Sequence, residues 1–388
     1  MLKGLSPDQF LANHWQKRAL FLPAAIDPSL PALNADELAW LAMQPDVESR
    51  LVFTERNGDD IRYRVEHGPF SETELGELPP EDWTLLVQDV EKHLPDFRQY
   101  FELVPFVPKW RLDDLMVSIA APGGSVGPHK DNYDVFLCQG DGTRHWAISD
   151  DRNVPADTSA ESLSLLKPFA ATAARDCLSS DVLYVPPGIP HWGVARTLCT
   201  TYSIGMRAPT RSELAAGFSR VFGAEDEESG DTESFYTDAD LQSCEALDGG
   251  ISIASLHRLK KQNLLERTLS DEQLASVLGS VVTDPKAWLD PDRPSAEDVE
   301  KLLQKKTDLH VHGMTLITWF ESDELAMVFI NGSGKKIPEC GKEMVRSLCH
   351  DRFAAAELLE AVLEDAQGQN FVRWMFDQGL LDIVENSL

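Results

Sequence analysis

The chain has 388 residues, beyond the usual reach of one domain, so two or more folded units are expected. Hydrophobic residues make up 43% and charged residues 26%, an ordinary globular balance that excludes a wholly disordered chain, and no run approaches the ~18–20 uninterrupted apolar residues of a membrane span. Sixty-four acidic against 35 basic side chains leave a net charge of −29, which repels phosphate backbones, argues against direct nucleic-acid recognition and suits a basic protein partner.

The N-terminus, Met1 to Asp8, has no apolar signal core, so a cytoplasmic rather than exported protein is expected. Cys138, Cys177, Cys199, Cys244, Cys340 and Cys349 form no C-x-x-C pair and read as reduced, mostly buried thiols. Up to about residue 210 the chain is rich in β-branched and aromatic residues punctuated by Gly and Pro. Short runs over 133–137, 144–148 and 181–185 predict strands, and Asp141-Gly142 between the first two carries the signal of a hairpin turn. The tryptophans Trp15, Trp40, Trp83 and Trp110 are expected in the core.

Thr210-Arg211-Ser212-Glu213 has the spacing of a helix capping box, and Leu214, Phe218 and Val221 or Phe222 recur at helical spacing behind it. The acidic run 225–240 reads as an exposed loop. Ile251, Ile253, Leu256, Leu259 and Leu264 form a second apolar series, whose face is expected to pack against another subunit or against the first domain. Ser270-Asp271-Glu272-Gln273 caps a further helix, and another starts near Ser295 with Val299, Leu302 and Leu303. Strand-like runs over 314–320 and 324–330 close on Asn331-Gly332-Ser333-Gly334; helices with Leu358, Leu359, Val362 and Leu363, then Phe371, Trp374, Met375 and Leu380, complete a winged-helix-like unit.

The sharpest local feature is Pro128-His129-Lys130-Asp131, followed sixty-two positions after His129 by His191 at the end of Val185-Pro186-Pro187-Gly188-Ile189-Pro190. Two imidazoles and one carboxylate are the facial triad of non-haem Fe(II) sites. In extended chain, residues i and i+2 share a side, so His129 and Asp131 reach one ion together while His191 arrives from a neighbouring strand. Three ligands on one face leave three positions for a co-substrate and O2. Arg144, on the strand after the Asp-Gly turn, offers a guanidinium fork for the distal carboxylate of a dicarboxylic co-substrate, and Ser118, before the glycine run 122–127, offers a hydroxyl to it.

Leu115-Met116-Val117-Ser118, the glycine run, the stretch His129 to Phe136 and the stretch Leu183 to His191 together resemble the JmjC-type ribosomal oxygenases. His14-Trp15-Gln16-Lys17-Arg18 and Trp110-Arg111-Leu112-Asp113-Asp114 resemble their bacterial branch, which hydroxylates an arginine of the sixteenth large-subunit ribosomal protein. The resemblance implies an α+β chain with a double-stranded β-helix (cupin/JmjC) catalytic domain over 1–209, a helical dimerisation segment over 210–268 and a winged-helix-like domain over 269–388. It implies Fe(II), O2 and 2-oxoglutarate, with His129, Asp131 and His191 as iron ligands, Arg144 and Ser118 on 2-oxoglutarate, and Asp114, Met116 and Tyr133 around a substrate arginine. It also implies a homodimer. Lys130 departs from the uncharged residue expected between the first His and Asp; its side chain is expected to point away from the metal.

Rival readings are the same chemistry on a histidine of another ribosomal protein, a demethylation or a modified tRNA base; a non-catalytic cupin scaffold; and a cupin sugar isomerase or dioxygenase, for which a further ligand after the first pair is missing. His310-Val311-His312 has metal-like spacing but reads as a strand edge. His145 is expected on the face opposite Arg144, Asp134 is expected to be structural, and His14 and His257 carry no second signal.

Overall fold

The structure is a computed structural model; it describes residues 1–58, 60–158, 164–223, 233–265, 268–286, 295–305, 307–379 and 381–382. The chain divides into two compact units, Met1–Pro105 with Leu112–Met206, and Phe106–Arg111 with Arg207–Leu388.

In the first unit, α1 (Pro7–Asn13), β1 (Leu20–Leu22), α2 (Ala35–Ala42), β2 (Ser49–Asn57), β3 (Asp60–His67), α3 (Glu72–Gly76), β4 (Trp83–Val87) and α4 (Val90–His93) lead into β5 (Leu112–Ala120). Then come β6 (Val135–Gln139), β7 (Arg144–Ile148), β8 (Ala173–Cys177), β9 (Val182–Val185), β10 (His191–Ala195) and β11 (Cys199–Met206). One eight-stranded sheet has the order β1-β9-β6-β11-β5-β4-β2-β3; a three-stranded sheet has the order β10-β7-β8. Among the described residues, the strand pairings in both sheets are antiparallel. Val135, Leu137, Leu183 and Val185 of the larger sheet pack with Trp146, Ile148 and Cys177 of the smaller in one buried cluster. Each fully buried aliphatic side chain there stabilises the barrel by about 1.5–3 kcal/mol.

The Asp141-Gly142 turn does not close a hairpin. β6 pairs with β9 and β11, whereas β7 pairs with β10 and β8, so this turn carries the chain from one sheet to the other. The turn chemistry was read correctly and its partners were not, because a local signal bends the chain without choosing the strand beside it. The strand expected over 133–137 begins two residues later. Trp40 is 55% exposed, since the short helix α2 turns Leu38, Leu41 and Ala42 inward and leaves Trp40 on the outer face. Trp15 and Trp110 are buried and Trp83 half-buried. Among the cysteines, Cys244 and Cys340 are exposed, the other four are buried, and all are free.

The second unit contains α5 (Arg211–Phe222), α6 (Ile253–Gln262), α7 (Asp271–Val282), α8 (Ala296–Lys305), β12 (Leu309–Val311), β13 (Ile317–Glu321), β14 (Ala326–Ile330), β15 (Ser333–Lys336), α9 (Lys342–Asp351), β16 (Phe353–Ala354), α10 (Ala356–Leu363), α11 (Ala366–Asp377) and β17 (Leu381–Asp382). Both expected capping boxes form, Thr210 with Glu213 and Ser270 with Gln273. Leu214, Leu256 and Leu259 of α5 and α6 share a core with α7 and with Phe320 and Phe329 of β13 and β14, neighbours that the sequence reading did not name. A third strand, β15, forms where only a closing turn was expected. Residues 225–232 of the acidic run, Leu380 and the side chain of Leu302 lie outside the described residues, whereas the rest of the run, 233–240, buries Tyr236 and Asp238.

Arg111 and Asp238 make a fully buried ion pair in this unit, Nη1 to Oδ2 2.6 Å, with the guanidinium 5.2 Å from the Tyr236 ring. Removing one partner strands a charge in a low-dielectric core. Asp238→Ala is therefore expected to destabilise the unit by about 3–5 kcal/mol, read from urea unfolding; a loss under about 1 kcal/mol would contradict the assignment of this pair as structurally essential.

Candidate active site

His129 and His191 are joined backbone to backbone. His129 N–H donates to the His191 carbonyl at 3.0 Å, and His191 N–H returns a bond to the His129 carbonyl at 2.9 Å. Antiparallel partners that exchange both bonds carry their side chains on the same face, and the two rings accordingly lie 4.2 Å apart, centroid to centroid. The local expectation needs one adjustment: His129 sits in an isolated bridge rather than in a continuous strand, and His191 starts β10 rather than ending the strand before it.

Asp131, two residues beyond His129, brings Oδ2 to 3.9 Å from His129 Nε2 and 3.5 Å from His191 Nε2. All three donor atoms lie within 4.8 Å of one another. Donors sharing a divalent ion at about 2.1 Å sit no more than about 4.2 Å apart, so the two carboxylate distances fit one ion. Tautomer geometry fits as well: His129 Nδ1 donates to the Gly127 carbonyl (2.9 Å) and His191 Nδ1 to the Ile189 carbonyl (3.0 Å). With both Nδ1 atoms spent on carbonyls, each Nε2 keeps its lone pair toward Asp131, the usual arrangement behind a metal-bound imidazole.

The turn before His191 is built for this. Pro187 and Gly188 occupy its centre, closed by Ile189 N–H to the Pro186 carbonyl at 3.3 Å, and Gly188 has φ +75°, which a residue with a β-carbon resists. Gly188 N–H donates to the Asp131 carbonyl at 2.7 Å, so the turn also clamps the segment carrying the acid. Lys130 points outward, its Nζ 3.3 Å from the Arg152 carbonyl, as expected of a residue between two inward ones.

Arg144 is buried on β7, on the same face as Trp146 and opposite Ala195 of β10. Its Nε and Nη2 have no hydrogen-bond partner among the described residues. A buried guanidinium with a bare fork is costly, by several kcal/mol, until an anion arrives. His145 takes the opposite face and bonds Asp176 at 2.6 Å, away from the site. Ser118 is buried on β5 between Thr201 of β11 and Leu86 of β4. Met116 and Asp114 follow on the same face at two-residue intervals.

Asp114 faces Gly205 across the ladder, next to a bulge between Gly205 and Met206. A β-carbon at Gly205 would lie 2.5 Å from Asp114 Oδ1, so this glycine gives the carboxylate its room. Sequence reading missed Gly205, although a glycine inside a strand signals close approach. Tyr133 is 41% exposed; the charge of the Asp131 carboxylate, with that of Asp114 adding to it, pushes its hydroxyl above the ordinary tyrosine range and keeps it neutral. Asp134 points the other way, accepting from Tyr184 Oη at 2.5 Å and Gln16 Nε2 at 2.9 Å. His310 and Val311 lie in β12, in the other unit. Among the described residues no metal-ligating group other than His129, Asp131 and His191 assembles.

An antiparallel barrel of this topology, with two imidazoles and a carboxylate converging on one face, defines a double-stranded β-helix of the cupin and JmjC class carrying the donor set of non-haem Fe(II) oxygenases. Comparison with known proteins is more specific. Residues 99–214 match the family described as JmjC domain, and residues 260–382 match the ROXA-like winged helix. The chain is 32% identical over 374 residues to the Escherichia coli ribosomal protein uL16 3-hydroxylase, covering 92% of each chain. It is 34% identical over 224 residues to a probable ribosomal oxygenase of Haemophilus influenzae, covering 57% of this chain and 54% of that one. The structure of the E. coli ribosomal oxygenase YcfD in complex with cobalt and 2-oxoglutarate superposes with a TM-score of 0.73 at 29% identity, over 98% of this chain and 99% of that one. The chain belongs to the JmjC-domain ribosomal oxygenases.

Burial, with the neighbouring His129 second, pushes the His191 imidazole down to about 4 from an ordinary value of 6.5. In the metal-free protein the ring is thus neutral at physiological pH and ready to bind a cation. Because its folded value is depressed, this group contributes stability that is present above about 6.5 and lost as pH falls toward about 4. NMR titration of the His191 ring in the metal-free chain should find its midpoint well below 6.5; a midpoint at or above 6.5 would contradict the burial argument.

Proposed function

We propose that this chain is an Fe(II)- and 2-oxoglutarate-dependent oxygenase that hydroxylates a side chain of a large-subunit ribosomal protein, the sixteenth, and that the target is an arginine. The observation that carries the reading is the convergence of His129, Asp131 and His191 in a barrel whose buried Arg144 has no hydrogen-bond partner for Nε and Nη2 among the described residues. The relative named a ribosomal protein uL16 3-hydroxylase and the YcfD complex with cobalt and 2-oxoglutarate support the substrate class and cofactors.

His129, Asp131 and His191 would hold the iron, occupying one face and leaving the opposite face for co-substrate and O2. Iron with 2-oxoglutarate and O2 supplies oxidative decarboxylation to succinate and CO2, and one oxygen atom for insertion into an unactivated C–H bond. Arg144 would take the far carboxylate of 2-oxoglutarate in its fork, with the Ser118 hydroxyl beside it. Two rungs along the same β5 face, Asp114 would bind the guanidinium of the substrate arginine, while Met116 and Tyr133 line its alkyl stem and exclude water. A neutral Tyr133 suits this place, since a phenolate would add a third negative charge beside Asp131 and Asp114.

An acidic protein with a guanidinium-binding carboxylate favours a cationic target over RNA, because ribosomal proteins are basic and the net charge of −29 draws them in. The reaction belongs in the cytoplasm, where ribosomal proteins are made; no described helix is long and apolar enough to cross a membrane. We read the chain as catalytic over 1–209, a helical dimerisation segment over 210–268 and a winged-helix-like domain over 269–388. The exposed Val221, Phe222 and Ile253 of α5 and α6 support a homodimer through that segment.

Succinate release should be stimulated by an arginine-bearing peptide from the ribosomal protein. His129→Ala is expected to abolish it together with iron binding. Arg144→Ala should keep iron but raise the KM for 2-oxoglutarate roughly 10- to 100-fold, the loss of a charge-assisted pair. Asp114→Asn should raise the peptide KM while leaving peptide-independent 2-oxoglutarate turnover intact. Normal hydroxylation by the first two variants would contradict the site assignment.

A further inference from the structure

The two segments that carry the imidazoles share more than their own bridge. Ser125 is 1% exposed. Its Oγ accepts Gly127 N–H at 3.0 Å and, from the other segment, the indole Nε1–H of Trp192 at 3.0 Å. Gly127 is the residue whose carbonyl receives His129 Nδ1–H, and Trp192 directly follows His191 on β10.

We propose that Ser125 is a positioning residue for the metal site. One hydroxyl ties the loop that orients the His129 ring to the strand that begins with His191. A hydroxyl has two lone pairs, and here each receives an N–H from a different ligand-bearing segment. Loss of the oxygen leaves the Gly127 and Trp192 donors without it, inside a buried site, and frees the Gly127 carbonyl to rotate. The His129 ring then loses the fixed acceptor that holds Nε2 toward Asp131. The backbone bridge between His129 and His191 survives such a change, because it runs through main-chain atoms alone. The fold is therefore kept while the aim of one donor is lost, which is how outer-shell hydrogen bonds tune a metal site.

The inference rests on the reading of His129, Asp131 and His191 as metal ligands. The test is an anaerobic titration of the full-length metal-free chain with Co(II), followed by visible absorption, with thermal unfolding of the same metal-free samples. Ser125→Ala is expected to weaken Co(II) binding by about 10- to 100-fold while its Tm stays within about 4 °C of the parent. Trp192→Phe, which keeps the hydroxyl and its bond from Gly127, is expected to weaken binding by a smaller factor. If Ser125→Ala does not fold, Trp192→Phe decides: parental affinity there overturns the inference. A parent that binds Co(II) while both variants match it overturns only the role of Ser125. A parent that takes up no Co(II) overturns the metal reading itself, and the inference with it.

Discussion

Two main-chain hydrogen bonds between His129 and His191 set the geometry on which the rest of the first unit depends. They join residues far apart in sequence as an antiparallel pair, and that pairing forces both imidazoles to one side. Asp131 reaches the same side by the two-residue alternation of extended chain, and the Gly188 bond to its carbonyl keeps that short segment from turning away. Three donors on one face are thus a consequence of backbone pairing before any metal is bound. Carbonyl acceptors on both Nδ1 atoms then settle which nitrogen faces inward.

The barrel wall turns the same alternation into a sequence of chemical environments. Along β5, Ser118, Met116 and Asp114 occupy successive positions of one face, passing from a small hydroxyl through an adaptable thioether to a carboxylate. Across from them the smaller sheet contributes Arg144 and Trp146, with the Trp146 ring 6.0 Å from that of His191. Arg144 thus places a buried cation on β7, while Asp114 places a carboxylate on β5. Gly205 beside Asp114 shows that the wall is shaped for a carboxylate there.

Much of this was legible from residues alone, and the gaps have physical causes. His129, Asp131, His191, Arg144 and Ser118 stood out because their spacing and turn residues are local, and β7 appeared at its expected bounds for the same reason. The capping boxes at Thr210 and Ser270 are likewise self-contained. Partnership was not legible: the Asp141-Gly142 turn bends the chain without stating that β6 and β7 belong to different sheets. Leu256 and Leu259 announced a buried face but not the helix and hairpin that bury it. Ser125 and Gly205 were missed because their work depends on residues that come near only in the folded chain. Trp40 shows the opposite error, a large apolar side chain assigned inward although its helix already has three better-placed residues to bury.

The claim that this site oxidises a ribosomal protein is tested most directly by intact-mass comparison of ribosomal proteins from cells with and without the gene. The account predicts that one large-subunit protein, the sixteenth, is heavier by a single oxygen atom when the gene is present, with fragmentation placing that atom on an arginine. Identical masses for every ribosomal protein in the two cell lines would contradict it.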